Sequence, residues 1–529
     1  MTSQNLLKQN HFRAHVIASY VILLLAFALR VWDLNASSLW FDEAVEYWTA
    51  IVPVTEISSQ VLIALQPPLF SFILHFWLLW GTEIVWMRML SVIFSMLTIV
   101  GVMHLAKQIG GRRAGLIAGF IASILPVEVR YAQDVGEYAL MLCMLVWYLN
   151  FLNQAFRRPT WKAWILWVIF TTASAYTHYG TIIVMGASGL YVWLSNLYRR
   201  TSRALIQQTV AATIALVLNL PFLFGFFSSQ FGRTYQNATA TPYSNFTNEL
   251  QHGLEALVDT FLFQFTGWPF SNMPKLLGMS LVVVIVLLAS LLSLRRYQYI
   301  ERYFFGWLLV SFLLYFTLTR LGLYAYGQFG FRYALIMSSL FTVVTAITID
   351  HYIRWQKNWL ALALLGFVSV ICLYNLPNRS LSDTTRPEQL WPERSDVREI
   401  AAFWARNRDD TQPTYVYYVA VPEFRYFSYH YGVERVTLPP NWLSHCFSSS
   451  CSADNIFYGA WLSSLPVADK LASIQHTLHS DPPQFWLILV HAKLGEGESA
   501  NILNALLKTH HVKLSYQKLH ASAYLLEQN

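Results

Sequence analysis

Four carboxylates, Asp33, Asp42, Glu43 and Glu46, stand in the stretch WDLNASSLWFDEAVEYWTA from position 32 to 50, which holds no Lys or Arg. Trp40, Phe41, Tyr47 and Trp48 are interleaved with them. Aromatic neighbours beside a membrane strip water from a carboxylate, and a desolvated carboxylate is a better proton acceptor. Transfer of a sugar to a hydroxyl needs such a group, because a hydroxyl is a poor nucleophile until its proton is being removed. An interfacial loop with aromatic anchors and solvated acids would carry the same residue types.

Other segments add polar groups. QPPL at 66–69 has two prolines that fix φ and keep a helix from starting before Pro67. PVEVRYAQDVGEY at 126–138 mixes Glu128, Arg130, Tyr131, Asp134 and Glu137. The turn YTHYG at 176–180 holds His178, and GLYAYGQFGFRY at 322–333 ends in Arg332 and Tyr333.

The elements that must hold these segments are apolar. The 529 residues are 55% hydrophobic and 12% charged, with 20 Trp and 35 Phe, so most of the chain cannot face water. Repeated apolar runs are long enough to cross a hydrocarbon layer of about 30 Å. The pattern predicts eleven spanning helices near 14–32, 86–106, 113–127, 137–154, 161–177, 180–197, 205–226, 276–293, 303–320, 332–349 and 358–375. The apolar run 66–80 is too short to span and reads as interfacial or re-entrant. The first apolar run lacks a small-residue cleavage site and reads as a retained helix.

Charge sets the orientation. Residues 1–375 hold 23 Lys/Arg, and 16 of them fall in six short segments, from Lys8 and Arg13 to Arg354 and Lys357, that alternate with loops poor in Lys/Arg. The positive-inside rule puts those six on the cytoplasmic side, which leaves the N-terminus cytoplasmic and the C-terminus outside. Of 14 acids in the same region only Glu301 and Asp350 fall in the basic segments. Seven basic residues, Arg30, Arg88, Arg130, Arg233, Lys275, Arg320 and Arg332, are not cytoplasmic. Arg forks match the oxygens of a phosphate leaving group, which would suit one or two of them; snorkelling to headgroups is expected of most.

The organisation is then a transmembrane domain over 1–375 with a catalytic first outward loop at 33–85, a polar Pro-containing linker at 376–394, and a soluble extracytoplasmic α/β domain at 395–529. In the last, 395–407 and 498–509 have helical spacing, and 414–421, 485–492, 511–516 and 522–527 read as strands. Residues 376–529 carry 13 Lys/Arg against 15 acids, so the positive total of the chain is a topology signal and not a nucleic-acid footprint. Cys143 and Cys372 lie in apolar runs; Cys446 and Cys451 stand in the tail, where a disulfide and two free thiols are both open. Asn237, Asn245 and Asn378 begin Asn-x-Ser/Thr triplets of the kind that arise by chance.

At this point the ordered set of motifs resembles a known family. Leu39, Trp40, Asp42, Glu43 and Ala44, then Pro67, Pro68 and Leu69, Gly111, Arg112 and Arg113, Tyr131 and Gln133, Thr177, His178 and Tyr179, and Arg332 and Tyr333 follow one another as they do in that family. The chain looks like the membrane glycosyltransferases of the protein O-mannosyltransferase and lipid A aminoarabinose transferase superfamily, and in particular its bacterial, family 39-like branch. No single motif is specific, and the likeness covers roughly residues 14–375. It implies a GT-C fold and a bacterial inner (plasma) membrane location. It also implies a donor with its hexose or pentose on a polyprenyl monophosphate, a glycan, lipid or protein acceptor reached from outside, and inversion at the anomeric carbon. Carried onto this chain, Asp42 is the base, Glu43 its orienting neighbour, and Arg130, Arg332 and Tyr131 the donor-phosphate group. Trp40, Glu46, Gln66, Asp134, Glu137, His178 and Tyr333 are the sugar- or acceptor-binding set. The family commonly has His where this chain has Gln66, and Gln neither exchanges protons near neutral pH nor ligates metals well. No cofactor is expected, with a divalent ion as the alternative. Oligosaccharide ligation, lipid-linked sugar transport and a catalytically dead glycan-binding scaffold are the competing readings; acids gathered at one surface favour surface chemistry over transport.

Overall fold

The computed structural model describes residues 3–58, 67–239, 335–376, 396–433, 451–453, 455–459, 467–478, 482–490, 498–518 and 521–529. Gln66, Arg332, Tyr333, Cys446, the spans expected at 276–293 and 303–320, and most of the linker lie outside them.

The chain is a polytopic α-helical membrane protein with an α/β C-terminal region. Among the described residues six helices are long and apolar enough to cross a membrane: Arg13–Val31, Ile84–Gly110, Glu137–Arg157, Thr181–Tyr198, Ser202–Pro221 and Leu335–Arg354. Of the eleven spans expected, two lie outside the described residues and three of the other nine are shorter helices. The run read as a span at 113–127 is the 13-residue helix Arg112–Ile124, followed by a new helix that opens on Pro126. At about 1.5 Å per residue it reaches about 20 Å, short of the roughly 30 Å hydrocarbon layer. Trp161–Ala175 has 15 residues, started by Thr160, whose hydroxyl accepts from the Ala163 N–H. Asn358–Asn375 is apolar but also short. Among its described residues the 66–80 run contains the 10-residue helix Leu69–Leu78, shorter than any of the six.

Small residues let the helices approach. A Cβ on Gly101 would stand 2.6 Å from Val146 Cγ1, and Asn150 Nδ2 donates to the Gly101 carbonyl at 2.9 Å across the same contact. At the turn Gly110–Gly111, Gly111 takes φ 91, open only to glycine at little cost. Arg113 and Arg354 there pair with buried Asp350 at 3.5 and 2.7 Å, and Arg354 also donates to the Gly110 carbonyl. That pairing explains one of the two acids found among basic segments.

The C-terminal region holds a six-stranded mixed sheet. Its strands are β1 (Thr414–Val416), β2 (Cys451–Ala453), β3 (Ile456–Tyr458), β4 (Gln484–Val490), β5 (His510–Lys518) and β6 (Ala521–Gln528), in the order β2-β3-β1-β4-β6-β5. β1 runs parallel to β3 and β4; the other pairs are antiparallel. After Gln484, β4 is an apolar run buried on both faces. Ile474 and Ile502, from the helices Val467–Thr477 and Glu498–Leu506, pack with Tyr415, Leu487 and Leu489. Trp404 of the helix Val397–Asn407 donates to Thr414 Oγ1 at 3.0 Å. The strand expected over 414–421 ends at Val416. The chain turns through Tyr418–Ala420 into the helix Val421–His430, with Pro422 in its first turn, where the missing N–H costs nothing.

The chain divides into two compact units. One is Met1–Trp32, Leu65–Phe70 and Arg88–Arg379; the other is Asp33–Ala64, Ser71–Met87 and Ser380–Asn529, so residues 33–64 share a unit with the tail.

Candidate active site

The candidate residues fall into two groups, one in each unit. The first is built on the helix Phe41–Ile51. Trp40 precedes it in extended conformation, and Glu43 reaches back to accept the Trp40 backbone N–H at 3.2 Å. A carboxylate in the first turn also suits the positive end of the helix. Glu43, expected as a partner to the base, thus caps the helix. Glu46 is buried and accepts from the Ser71 hydroxyl at 2.9 Å. Asp42 is half-buried and lies one turn before Glu46 on the same face. It is the most exposed acid of the three. His75 donates from Nδ1 to the Ala50 carbonyl at 2.7 Å, a structural role.

Two buried donors on this helix stand out. The Trp40 indole N–H and the Tyr47 hydroxyl have no hydrogen-bond partner among the described residues. Leaving such a group unmet costs about 1–3 kcal/mol. Burial pushes the Tyr47 phenol well above its ordinary range, with Tyr429 adding to the rise and Arg425 opposing it.

The second group is built on 126–138. Glu128, Arg130, Tyr131, Asp134 and Glu137 are all buried there, three carboxyls and a guanidinium within ten residues. Glu128 accepts from the Ser338 hydroxyl at 2.6 Å and lies 3.9 Å from Arg30. Burial raises its carboxyl above the ordinary range, against the pull of Ser338 and Arg30. Arg30 donates to Ser95 Oγ at 2.7 Å and to the Ala122 and Ser123 carbonyls at 3.2 and 3.1 Å, closing the end of the Arg112–Ile124 helix. Gln133 donates to the carbonyls of Arg30 and Trp32. A ladder of side chains follows: the Arg130 guanidinium lies 5.5 Å from the Tyr131 ring, Tyr131 4.8 Å from Tyr138, and Tyr138 5.9 Å from His178. His178 Nδ1 accepts from the Gly180 N–H at 3.0 Å, so the neutral ring carries its proton on Nε2. The Leu69 N–H donates to the Tyr176 carbonyl at 3.0 Å, joining the Pro-Pro-Leu and Thr-His-Tyr motifs.

A model of the family described as dolichyl-phosphate-mannose-protein mannosyltransferase matches residues 65–224. ArnT from Cupriavidus metallidurans in the apo state superposes with a TM-score of 0.57 at 12% identity, over 98% of both chains. This chain has an ArnT-like, GT-C fold. ArnT bound to undecaprenyl phosphate gives 0.55 at 12% identity, over 96% of this chain and 97% of that one. The Archaeoglobus fulgidus oligosaccharyltransferase in complex with Zn and sulfate gives 0.51 at 10% identity, over 96% and 72%. Among curated proteins none matches the chain.

In this GT-C scaffold the first unit brings together Arg130, Tyr131, Asp134, Glu137 and His178, and the second brings together Trp40, Asp42, Glu43 and Glu46. Gln66, Arg332 and Tyr333 lie outside the described residues. Of the basic residues expected to snorkel, Arg30, Arg88 and Arg130 are instead buried in protein. The Gly-Arg-Arg motif builds the Asp350 clasp. No three His, Cys, Asp or Glu side chains gather to hold a metal ion among the described residues. Sequence reasoning missed Ser338 as the partner of Glu128, and Arg398 and Arg425 of the tail, described below. Nothing local marks a serine in an apolar helix or an arginine in an amphipathic one.

Proposed function

We propose that this protein transfers a sugar from a polyprenyl-phosphate carrier to an acceptor hydroxyl on the extracytoplasmic side of the membrane, with inversion. Asp42 takes the proton of the acceptor hydroxyl as its oxygen attacks the anomeric carbon. The bond from that carbon to the phosphate oxygen breaks, and its electron pair leaves with the polyprenyl phosphate. Arg130, with Tyr131 beside it and Arg332 from the later loop, holds the charge that develops there. Trp40, Glu46, Gln66, Asp134, Glu137, His178 and Tyr333 serve sugar and acceptor. The reading places the N-terminus in the cytoplasm and the C-terminal region outside, as the Lys/Arg distribution implies.

The observation that carries this reading is the half-buried Asp42 on a helix whose other two acids are buried. The buried charges of 126–138 support it, because such groups are costly unless they serve a site. So does the likeness in fold to ArnT, one structure of which contains undecaprenyl phosphate. The test is mass spectrometry of membrane lipids from cells lacking the gene. A polyprenyl-phosphate-linked sugar should accumulate and disappear on complementation; an unchanged lipid-linked sugar pool would contradict the reading.

A further inference from the structure

The tail reaches the segment that carries Asp42 at two places, both within one unit. Arg398, at the start of the Val397–Asn407 helix, donates from its guanidinium to the Asn35 carbonyl at 3.2 Å, to Asn35 Oδ1 at 3.1 Å and to the Ser37 carbonyl at 3.2 Å. Its backbone N–H donates to Ser38 Oγ at 3.2 Å. All four acceptors lie in 35–38, a stretch without regular structure just before the Phe41–Ile51 helix. The turn that leads into it has Asp33 at φ 61, a left-handed conformation that Asp tolerates better than most residues. Further along, Trp48 Nε1 donates to the Pro422 carbonyl at 3.0 Å, and the Arg425 guanidinium lies 4.3 Å from the Trp48 ring. Tyr426 meets Tyr47 edge-on at 5.0 Å and donates to the Thr82 carbonyl at 2.8 Å.

The stretch 35–48 is thus held from before and behind by tail residues, with Asp42 between the two holds. A short irregular loop has no internal ladder to fix its direction, so its geometry depends on such outside donors. A guanidinium presents its N–H groups in a rigid planar fork and can serve three acceptors at once, which an ammonium on a flexible stem cannot do in one geometry.

We infer that Arg398 is a positioning residue for transfer: it latches 35–38 to the tail and so sets the direction in which the helix presents Asp42. The inference rests on the reading of Asp42 as the base. Small misplacement of a reacting group costs up to about 100-fold in rate. The proposed function assigns the donor phosphate to Arg130, Tyr131 and Arg332, so the donor KM should be insensitive.

The experiment uses the full chain in nanodiscs, with a synthetic polyprenyl-phosphate sugar as donor, and compares wild type with Arg398→Ala and Arg398→Lys. Both variants should lose about 10–100-fold in kcat, with the donor KM within about twofold, Lys recovering little because it lacks the fork. Amide exchange should speed up in 33–51 while the sheet strands Gln484–Val490 and Ala521–Gln528 stay protected. If Arg398→Ala does not accumulate, Asn35→Ala with Ser38→Ala removes acceptors of the same latch from the loop side and should shift kcat and exchange in the same sense. An unchanged kcat, or exchange rising equally through the sheet, overturns the proposal. Should the wild type itself transfer no sugar, the functional reading fails, while the exchange arm still decides whether Arg398 holds 35–51.

Discussion

The Ser338 hydroxyl donates a 2.6 Å hydrogen bond to Glu128, joining the start of the helix Ser338–Arg354 to the six-residue helix that carries Arg130. Arg30 approaches the other side of the same carboxyl at 3.9 Å. Glu128 is thereby a fastening point for the segment proposed to hold the donor phosphate, although its own side chain is fully enclosed.

Burial raises the Glu128 carboxyl, so the folded protein favours its protonated form. A raised group adds stability that is present below its ordinary value and is lost as pH climbs through the raised one. Glu128→Gln keeps an acceptor for Ser338 and cannot ionise. Its thermal midpoint should match wild type at acid pH and exceed it increasingly as pH rises. Glu128→Ala leaves the Ser338 hydroxyl unmet and should cost about 1–3 kcal/mol at acid pH, and less as pH rises. Thermal unfolding in detergent across pH checks both; a wild-type midpoint that rises with pH relative to Glu128→Gln would contradict the assignment.

His178 accepts the Gly180 N–H on Nδ1 and carries the proton of its neutral ring on Nε2. Asn at this position supplies an acceptor close to where Nδ1 sits, so His178→Asn should keep the Gly180 contact and the midpoint of unfolding while losing the Nε2 proton. Transfer should fall about tenfold, in keeping with one lost hydrogen bond to substrate. His178→Ala should lose the same activity and, in addition, about 0.5–1.5 kcal/mol of stability. Equal activity of His178→Asn and wild type in the nanodisc transfer assay would remove His178 from the site.

Asp350 gathers Arg113 and Arg354, whose side chains are about half exposed, so each pair is partly screened. Asp350→Ala should destabilise the fold by roughly 1–2 kcal/mol, between the values for exposed and buried pairs. The protein that remains folded should transfer sugar at the wild-type rate. A loss of rate without a loss of stability, measured on the monodisperse fraction, would give the Gly-Arg-Arg motif a catalytic part it lacks here.

Glu43 accepts the Trp40 N–H and Glu46 accepts the Ser71 hydroxyl, contacts that an amide can also make. Glu43→Gln and Glu46→Gln should therefore each retain transfer within about tenfold, since a single neutral hydrogen bond replaces a charged one. Glu43→Ala should lose about 1 kcal/mol of stability with the cap. Steady-state rates for the two amide variants decide the matter.

How far the sequence foretold this structure depends on the range of the interaction. Apolar runs at 86–106, 137–154 and 180–197 became the helices Ile84–Gly110, Glu137–Arg157 and Thr181–Tyr198, because a continuous run has few other solutions in lipid. The 113–127 run was misleading, since its apolar composition continues across Leu125 and Pro126, where the backbone breaks. In the tail, the buried β4 was legible as an apolar stretch, whereas Tyr415, Tyr417 and Tyr418 mimicked a longer strand and Pro422 carried the contrary signal. At the site, the acids of the first loop were visible as a cluster, yet their division of labour was not. Glu43 and Glu46 are set apart from Asp42 by Trp40, Ser71 and the burial of a whole helix face. Arg398 and Asn35 are 363 residues apart, and no local pattern links them.

The most direct measurement is transfer by Asp42→Asn beside donor binding by the same protein. The amide keeps the shape and loses the base, so turnover of a polyprenyl-phosphate sugar should fall about 10²–10⁴-fold. Binding of the donor, followed by intrinsic tryptophan fluorescence, should stay within about threefold, a difference of under 1 kcal/mol. Turnover by Asp42→Asn within tenfold of wild type would contradict the assignment of Asp42 as the base and, with it, the account of this site.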